Sequence, residues 1–431
     1  MGSQYTSDFT ASQEHQTFGG QKLHSRLVWL ALLCAGVGVF TSVGICAGNH
    51  IFLLIPSLIA IRKCLFKERK SSLPKSAWAL LALCLVGFSA NIYNWNDMHD
   101  PLRCTMKLKY FMMGILGMMA LRCLHEPDEP RKFQVWVFNL ALASIIVSVS
   151  YAIIGHVTGF DLIDWKTADF TRRGGLTGTM RFGYGMGMLL PSLIGILVFC
   201  GSKMSTKQKT FLKVAVVFAI IGLLLTQTRG GLLATISGFV VLAFMVRRST
   251  GVKTLLVGAG VIFVIFFVNA FIDSNEKGWR NSGYFRGLND GQRISIYQGA
   301  LASIRERPVK GLGYYQLGYH LPEIKRRNGI ANVDGETSHA HNIFLQIGAD
   351  FGILGLLTLM AWLGFWAREL ISRGGLPMKL GLPFIAAITV GGQFEYIFDG
   401  NNSVLIFTVY AVSLSPFIHE IFEEKNSQVP N

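Results

Sequence analysis

The chain has 431 residues, of which 51% are hydrophobic and only 15% charged, with a mean hydropathy of +0.41. That composition excludes a water-soluble domain and indicates a protein that crosses a membrane many times. The formal charge of +15 would suggest nucleic acid in a soluble chain, but no basic helix or RNA-type aromatic motif accompanies it, so no nucleic-acid partner is expected. The seven cysteines lie mostly in apolar runs, with no CxxC and no disulfide framework.

Met1 to Arg26 is polar and mixed, without the pattern of a cleavable signal peptide. Windows long enough to cross ~30 Å of hydrocarbon then predict about twelve transmembrane helices. They fall near 27–47, 50–66, 77–93, 108–124, 134–156, 181–200, 211–227, 230–246, 252–272, 342–366, 379–398 and 402–419. The expected fold class is all-α, a polytopic membrane helix bundle with one long, partly helical loop. Its divisions are an N-terminal tail (1–26), a first set of helices (27–272), the loop (273–341), a second set of helices (342–419) and a C-terminal tail (420–431).

Lysine and arginine orient the bundle, because cytoplasmic loops carry the excess of both. One set of alternate loops is basic: Arg62 to Lys75, Arg122 to Lys132, Lys203 to Lys213, Arg247 to Lys253, and Arg368 to Lys379. The other short loops carry few cations: Asn94 to Lys107, Val157 to Met180, the turn at Arg229, and Asp399 to Asn401. Both termini therefore fall on the cytoplasmic side and the loop 273–341 on the other. A loop of that length between spans is usually functional. Within it Asp290 can cap a helix whose stripe is Ile294, Tyr297, Leu301 and Ile304, and Pro308 ends it. An amphipathic helix resting on the membrane and a lid over a site fit this pattern equally.

The stretch SHAHNIFLQIGADFGILGL, Ser338 to Leu356, sets His339 and His341 at the mouth of the next apolar run. At a helix entrance a neutral imidazole can accept a proton, and an interfacial histidine satisfied by water or backbone is the competing reading. A metal reading is weaker, since His339-x-His341 has no third ligand at a supporting distance in the sequence. In TQTRGGLLA, Thr226 to Ala234, Arg229 interrupts an apolar stretch at a turn on the same side. A guanidinium beside hydrocarbon faces a cavity or partner, or else snorkels to the interface.

Arg181 follows the glycine-rich GGLTGTM, Arg172 and Arg173 precede it, and Arg293 lies in DGQRISIYQ of the long loop. All fall on the side of the histidines, and arginine suits bidentate binding of phosphate. There is no Walker loop, and Asp97, Asp100, Asp161, Asp164, Asp169 and Asp334 form no DxD or DxE clamp for a phosphate-bound divalent ion. A diphosphate bound here would have to be neutralised by arginines.

At this point the residues resemble a family. TQTRGGLL is similar to the R-x3-L element of bacterial O-antigen ligases, with Arg229 as its arginine and Leu233 as its leucine. HNIFLQIGADFG resembles their H-[NSQ]-x9-G element, with His341 and Gly352; the residue that usually closes the element is here Gly355. The resemblance implies transfer of O-antigen from undecaprenyl diphosphate to a sugar hydroxyl of lipid A–core, at the periplasmic face of the bacterial inner membrane. It implies inversion at the anomeric carbon, with no metal and no cofactor. His341 or His339 would be the base, Arg229 would bind the diphosphate, and sidedness adds Arg181, Arg293, Arg172 and Arg173. The same superfamily contains O-antigen polymerases. A transporter or flippase would want deep ionisable residues, for which only Glu395 and Arg368 offer themselves.

Overall fold

The computed structural model describes residues 4–66, 73–122, 131–161, 163, 166–167, 174–246, 290–331 and 339–415. The helices run α1 (Gln4–Thr41), α2 (Val43–Phe66), α3 (Lys75–Tyr93), α4 (Pro101–Lys107), α5 (Lys109–Arg122) and α6 (Arg131–Thr158). They continue with α7 (Thr179–Cys200), α8 (Thr206–Thr226), α9 (Arg229–Met245), α10 (Asp290–Glu306) and α11 (Leu317–Arg327). The last three are α12 (Ile343–Arg373), α13 (Gly375–Gly391) and α14 (Gly400–Ser413). A two-residue hairpin pairs Phe160–Asp161 with Lys166–Thr167.

The all-α bundle predicted from composition is what forms. Among the described residues eight helices are long and apolar enough to cross a membrane, and α9 and α13 are shorter apolar helices. The predicted ninth span, 252–272, lies outside the described residues, as do Arg172, Arg173, Asp164, Asp169 and Asp334. Other boundaries move. The predicted spans 27–47 and 50–66 are divided instead at Ser42, where one helix ends and the next begins at Val43. The predicted span 379–398 stops at Gly391, because Gly391, Gly392 and Gln393 end the helix in turns and leave 392–399 as a connection.

Packing pairs α1 with α2 and α6, α3 with α12, α5 with α14, and α13 with α7 and α9. The interior is aromatic: Trp362 and Trp366 of α12 stack at 5.4 Å, and the Tyr410 ring meets Trp366 edge-on at 5.2 Å. At one end of the bundle the Ser76 backbone N–H (3.0 Å) and hydroxyl donate to the Glu369 carboxylate, tying the start of α3 to the end of α12. The opposite end carries α10 and α11.

The loop helix α10 does begin at Asp290, but its inward face keeps only half of the predicted stripe, Tyr297 and Ile304, which are partly buried against the core. Ile294 and Leu301 are exposed, whereas Ile296, Ala300 and Ser303 are buried against α11 and α12.

The feature that positions the rest is a break inside α12. Gly352 has φ +72°, a left-handed value that side chains with a Cβ avoid. A Cβ there would also lie 2.5 Å from the Pro308 carbonyl oxygen. The interruption lets residues 308–313 bond to the helix backbone. Ile353 N donates to Pro308 O (2.7 Å), Leu312 N to Ala349 O (2.9 Å) and Gly313 N to Asp350 O (2.9 Å). The buried Asp350 carboxylate then accepts from Tyr315 N (2.8 Å), Gln316 N (3.3 Å) and the Gln346 amide (2.9 Å). Asn91 and Asn94 at the end of α3 hold the same segment from the other side, Asn91 Oδ1 accepting from Tyr314 N at 2.6 Å.

Candidate active site

Two stretches of chain meet at this end of the bundle: 339–342, which leads into α12, and 392–399, which joins α13 to α14. Asn342 caps α12, its Oδ1 accepting from Phe344 N (2.9 Å) and Leu345 N (3.1 Å), as an N-cap asparagine should. Its Nδ2 donates to Gln393 Oε1 (3.0 Å), and Ile343 N donates to Gly392 O (2.7 Å), which stitches the two stretches together.

Between them lies a carboxylate with two imidazoles. Glu395 Oε1 is 2.6 Å from His339 Nε2, and Glu395 Oε2 is 3.2 Å from His341 Nδ1. The Tyr396 N–H donates to Oε1 at 3.0 Å, and the two imidazole centroids are 4.3 Å apart. Glu395 is almost wholly buried. Burial by itself would raise its pKa, but hydrogen bonds from the two imidazoles and their positive charge outweigh it and hold the carboxyl below the usual range. His341 has φ +50°, so its ring is aimed by an unusual backbone torsion. With a proton on Nδ1 directed to Glu395, Nε2 of His341 is left as the lone-pair nitrogen, and the side chain is 28% exposed.

Behind the cluster Tyr396 donates its hydroxyl to that of Tyr314 (2.8 Å), which donates to Phe398 O (3.3 Å). Burial pushes both phenols well above their ordinary pKa, so this chain stays protonated and acts as a support. Tyr297 of α10 donates to Gln393 O at 3.1 Å and so lays the loop helix over the connection.

Cations approach from four helices. Arg181, near the start of α7, places Nη2 3.3 Å from Asp399 Oδ2, four residues along the connection from Glu395. Lys107 places Nζ 3.6 Å from Asp399 Oδ1 and 3.7 Å from the centre of the Tyr315 ring. Arg293 stands one turn before Tyr297 on α10, close enough that its charge acts on that phenol. Arg229 is the first residue of α9. The next residue, Gly230, packs on the Tyr184 hydroxyl and on Phe394, where a Cβ would lie 2.9 Å from the Phe394 Cβ. Only glycine allows that approach, which sets Arg229 beside the connection that carries Glu395.

The structure thus brings Arg181, Arg229 and Arg293 to the end that holds His339 and His341, while Arg172 and Arg173 lie outside the described residues. Reading from sequence missed Asp399 and Lys107, and it singled out Glu395 only as a deep ionisable residue that a transporter would want. Glu395 was buried in a predicted span, although the doublet Gly391-Gly392 and the polar residues after it were a signal that the helix ends early. It also supplies the third group that a metal reading of His339 and His341 lacked.

No curated protein matches the chain. Residues 214–360 match the family described as O-antigen ligase, a segment that includes Arg229, Arg293, His339, His341 and the Gly352 break. The match covers residues 214–360 of the 431 and supports the O-antigen ligase and polymerase superfamily, whose members are glycosyltransferase-like enzymes of O-antigen biosynthesis.

Proposed function

We propose that the chain is an O-antigen ligase, which transfers O-antigen polysaccharide from undecaprenyl diphosphate to a sugar hydroxyl of lipid A–core. The single observation that carries this reading is the Glu395 carboxylate bridging His339 and His341 beside a group of cations. His341 Nε2 takes the proton of the acceptor hydroxyl as its oxygen attacks the anomeric carbon, and Glu395 holds the resulting imidazolium. The anomeric C–O bond to the diphosphate breaks with inversion. The charge that develops on the leaving diphosphate is met by Arg229, Arg181, Arg293 and Lys107. No step needs nucleotide, metal or cofactor. The lysine and arginine pattern of the loops supports a site on the periplasmic side of the inner membrane with both termini cytoplasmic. Donor and acceptor, both lipid-borne, would then reach it laterally from the outer leaflet.

The test is a transfer assay with purified protein, lipid-linked glycan and lipid A–core. His341→Ala and Arg229→Ala, each shown to be folded, should lose transfer by roughly 10²-fold or more. Native rates in both would sink the assignment. In a deletion strain, long glycan accumulating on its carrier with none on lipid A–core supports the ligase. Single repeats on lipid A–core would instead identify a polymerase.

A further inference from the structure

The charge balance of Glu395 suggests a second occupant for its site. The described partners of this buried carboxylate are two imidazoles and one backbone N–H, with no lysine or arginine among them. A carboxylate out of water needs positive charge nearby, and here that charge can be a proton on an imidazole or a metal ion between the three side chains. One ligand atom from each of His339, His341 and Glu395 lies within 4.8 Å of the others. Zinc bonds of about 2.0–2.2 Å in a tetrahedron put ligand atoms roughly 3.3–3.6 Å apart, a spacing that falls inside the 4.8 Å already containing the three ligand atoms. The ligands come from two stretches already fastened to each other through Asn342, Gln393 and Gly392, and the Tyr396 N–H orients the carboxylate from behind. Both imidazoles remain partly exposed, which leaves the fourth position on the open side.

We propose that His339, His341 and Glu395 bind a borderline-soft divalent cation, zinc foremost, and that its binding shuts off transfer. Two imidazoles and one carboxylate favour zinc, copper or nickel over magnesium or calcium, which prefer oxygen. A bound ion takes the lone pair with which His341 would accept a proton. The binding half stands on the side-chain geometry alone, and the inhibitory half rests on the transferase reading above.

The experiment uses the full-length protein in detergent, stripped with a chelator and titrated calorimetrically with zinc, magnesium or calcium chloride. One zinc ion per chain should bind in the micromolar range, with neither of the other ions binding. His339→Ala and Glu395→Gln should each weaken zinc roughly tenfold or more. Glu395→Asp, which keeps the carboxylate, guards against misfolding and should retain part of the affinity. Transfer should fall over the same zinc concentrations and return on chelation. No saturable zinc binding, or binding unchanged in the variants, overturns the site. Zinc bound through these residues while transfer continues upholds the site, and overturns both the inhibition and the role of His341 as base.

Discussion

The two parts of α12 on either side of Gly352 behave as if dissolved in different media. From 343 to 352 no residue is exposed, and the polar Gln346 and Asp350 are buried, their side chains bonded to the loop segment, to Ala340 and to each other. From 353 onwards one stripe is exposed and apolar, Ile353, Leu354, Leu357, Met360 and Ile371, while Trp362, Trp366 and Leu370 face inwards. The later part holds 21 residues by its bounds, about 31 Å of helix, enough to cross the hydrocarbon unaided. The earlier part is therefore free to serve as a scaffold for His341 and the loop. One glycine separates a lipid-facing anchor from a polar platform.

Substitutions should respect that division. The largest effect belongs to His341→Ala at the head of the platform. Turnover should fall about 10²- to 10⁴-fold with little change in Tm, as read by transfer assay and thermal melting. Gly352→Ala comes next. It pays the left-handed torsion and meets the Pro308 carbonyl, so stability should drop by about 2–4 kcal/mol and transfer with it. A Tm equal to that of the parent would show that the break is not obligatory.

Asp350→Ala leaves the Tyr315 and Gln316 amides without their acceptor and should cost about 1–3 kcal/mol in denaturant unfolding. Glu395→Gln should act through pH. The folded carboxyl sits below its unfolded value of about 4.3, so its contribution is complete above that pH and is lost as pH falls towards the folded value. The stability gap between parent and variant should thus be widest above about pH 5 and narrow in acid. A gap that grows in acid would contradict the arrangement. Leu357→Ile, on the lipid-facing stripe, should stay within about 0.5 kcal/mol.

The division of α12 was only partly legible. Hydropathy located the apolar run after Ile343, and the spacing from His341 to Gly352 singled out both residues. It could not tell that Gly352 breaks the helix, because the reason is a loop carbonyl some forty residues earlier in the chain. Glu395 was hidden differently. A window average takes Phe394, Tyr396, Ile397 and Phe398 as lipid-soluble, whereas Tyr396 and Phe398 are buried in protein, among Tyr314, Tyr315, Phe111 and Trp362. Apolar residues that face other side chains look the same in sequence as those that face a bilayer. Arg229 was legible because a guanidinium in an apolar run has few places to go. Lys107 was not, since its position depends on Asp399 and on the ring of Tyr315.

The left-handed torsion at His341 has a practical consequence for anyone dissecting this site. Histidine already holds a Cβ in that torsion, so alanine removes the imidazole while leaving the strained link in place. Asparagine and glycine tolerate that torsion, so the pair His341→Asn and His341→Gly separates the chemistry of the ring from the geometry of the turn that presents it.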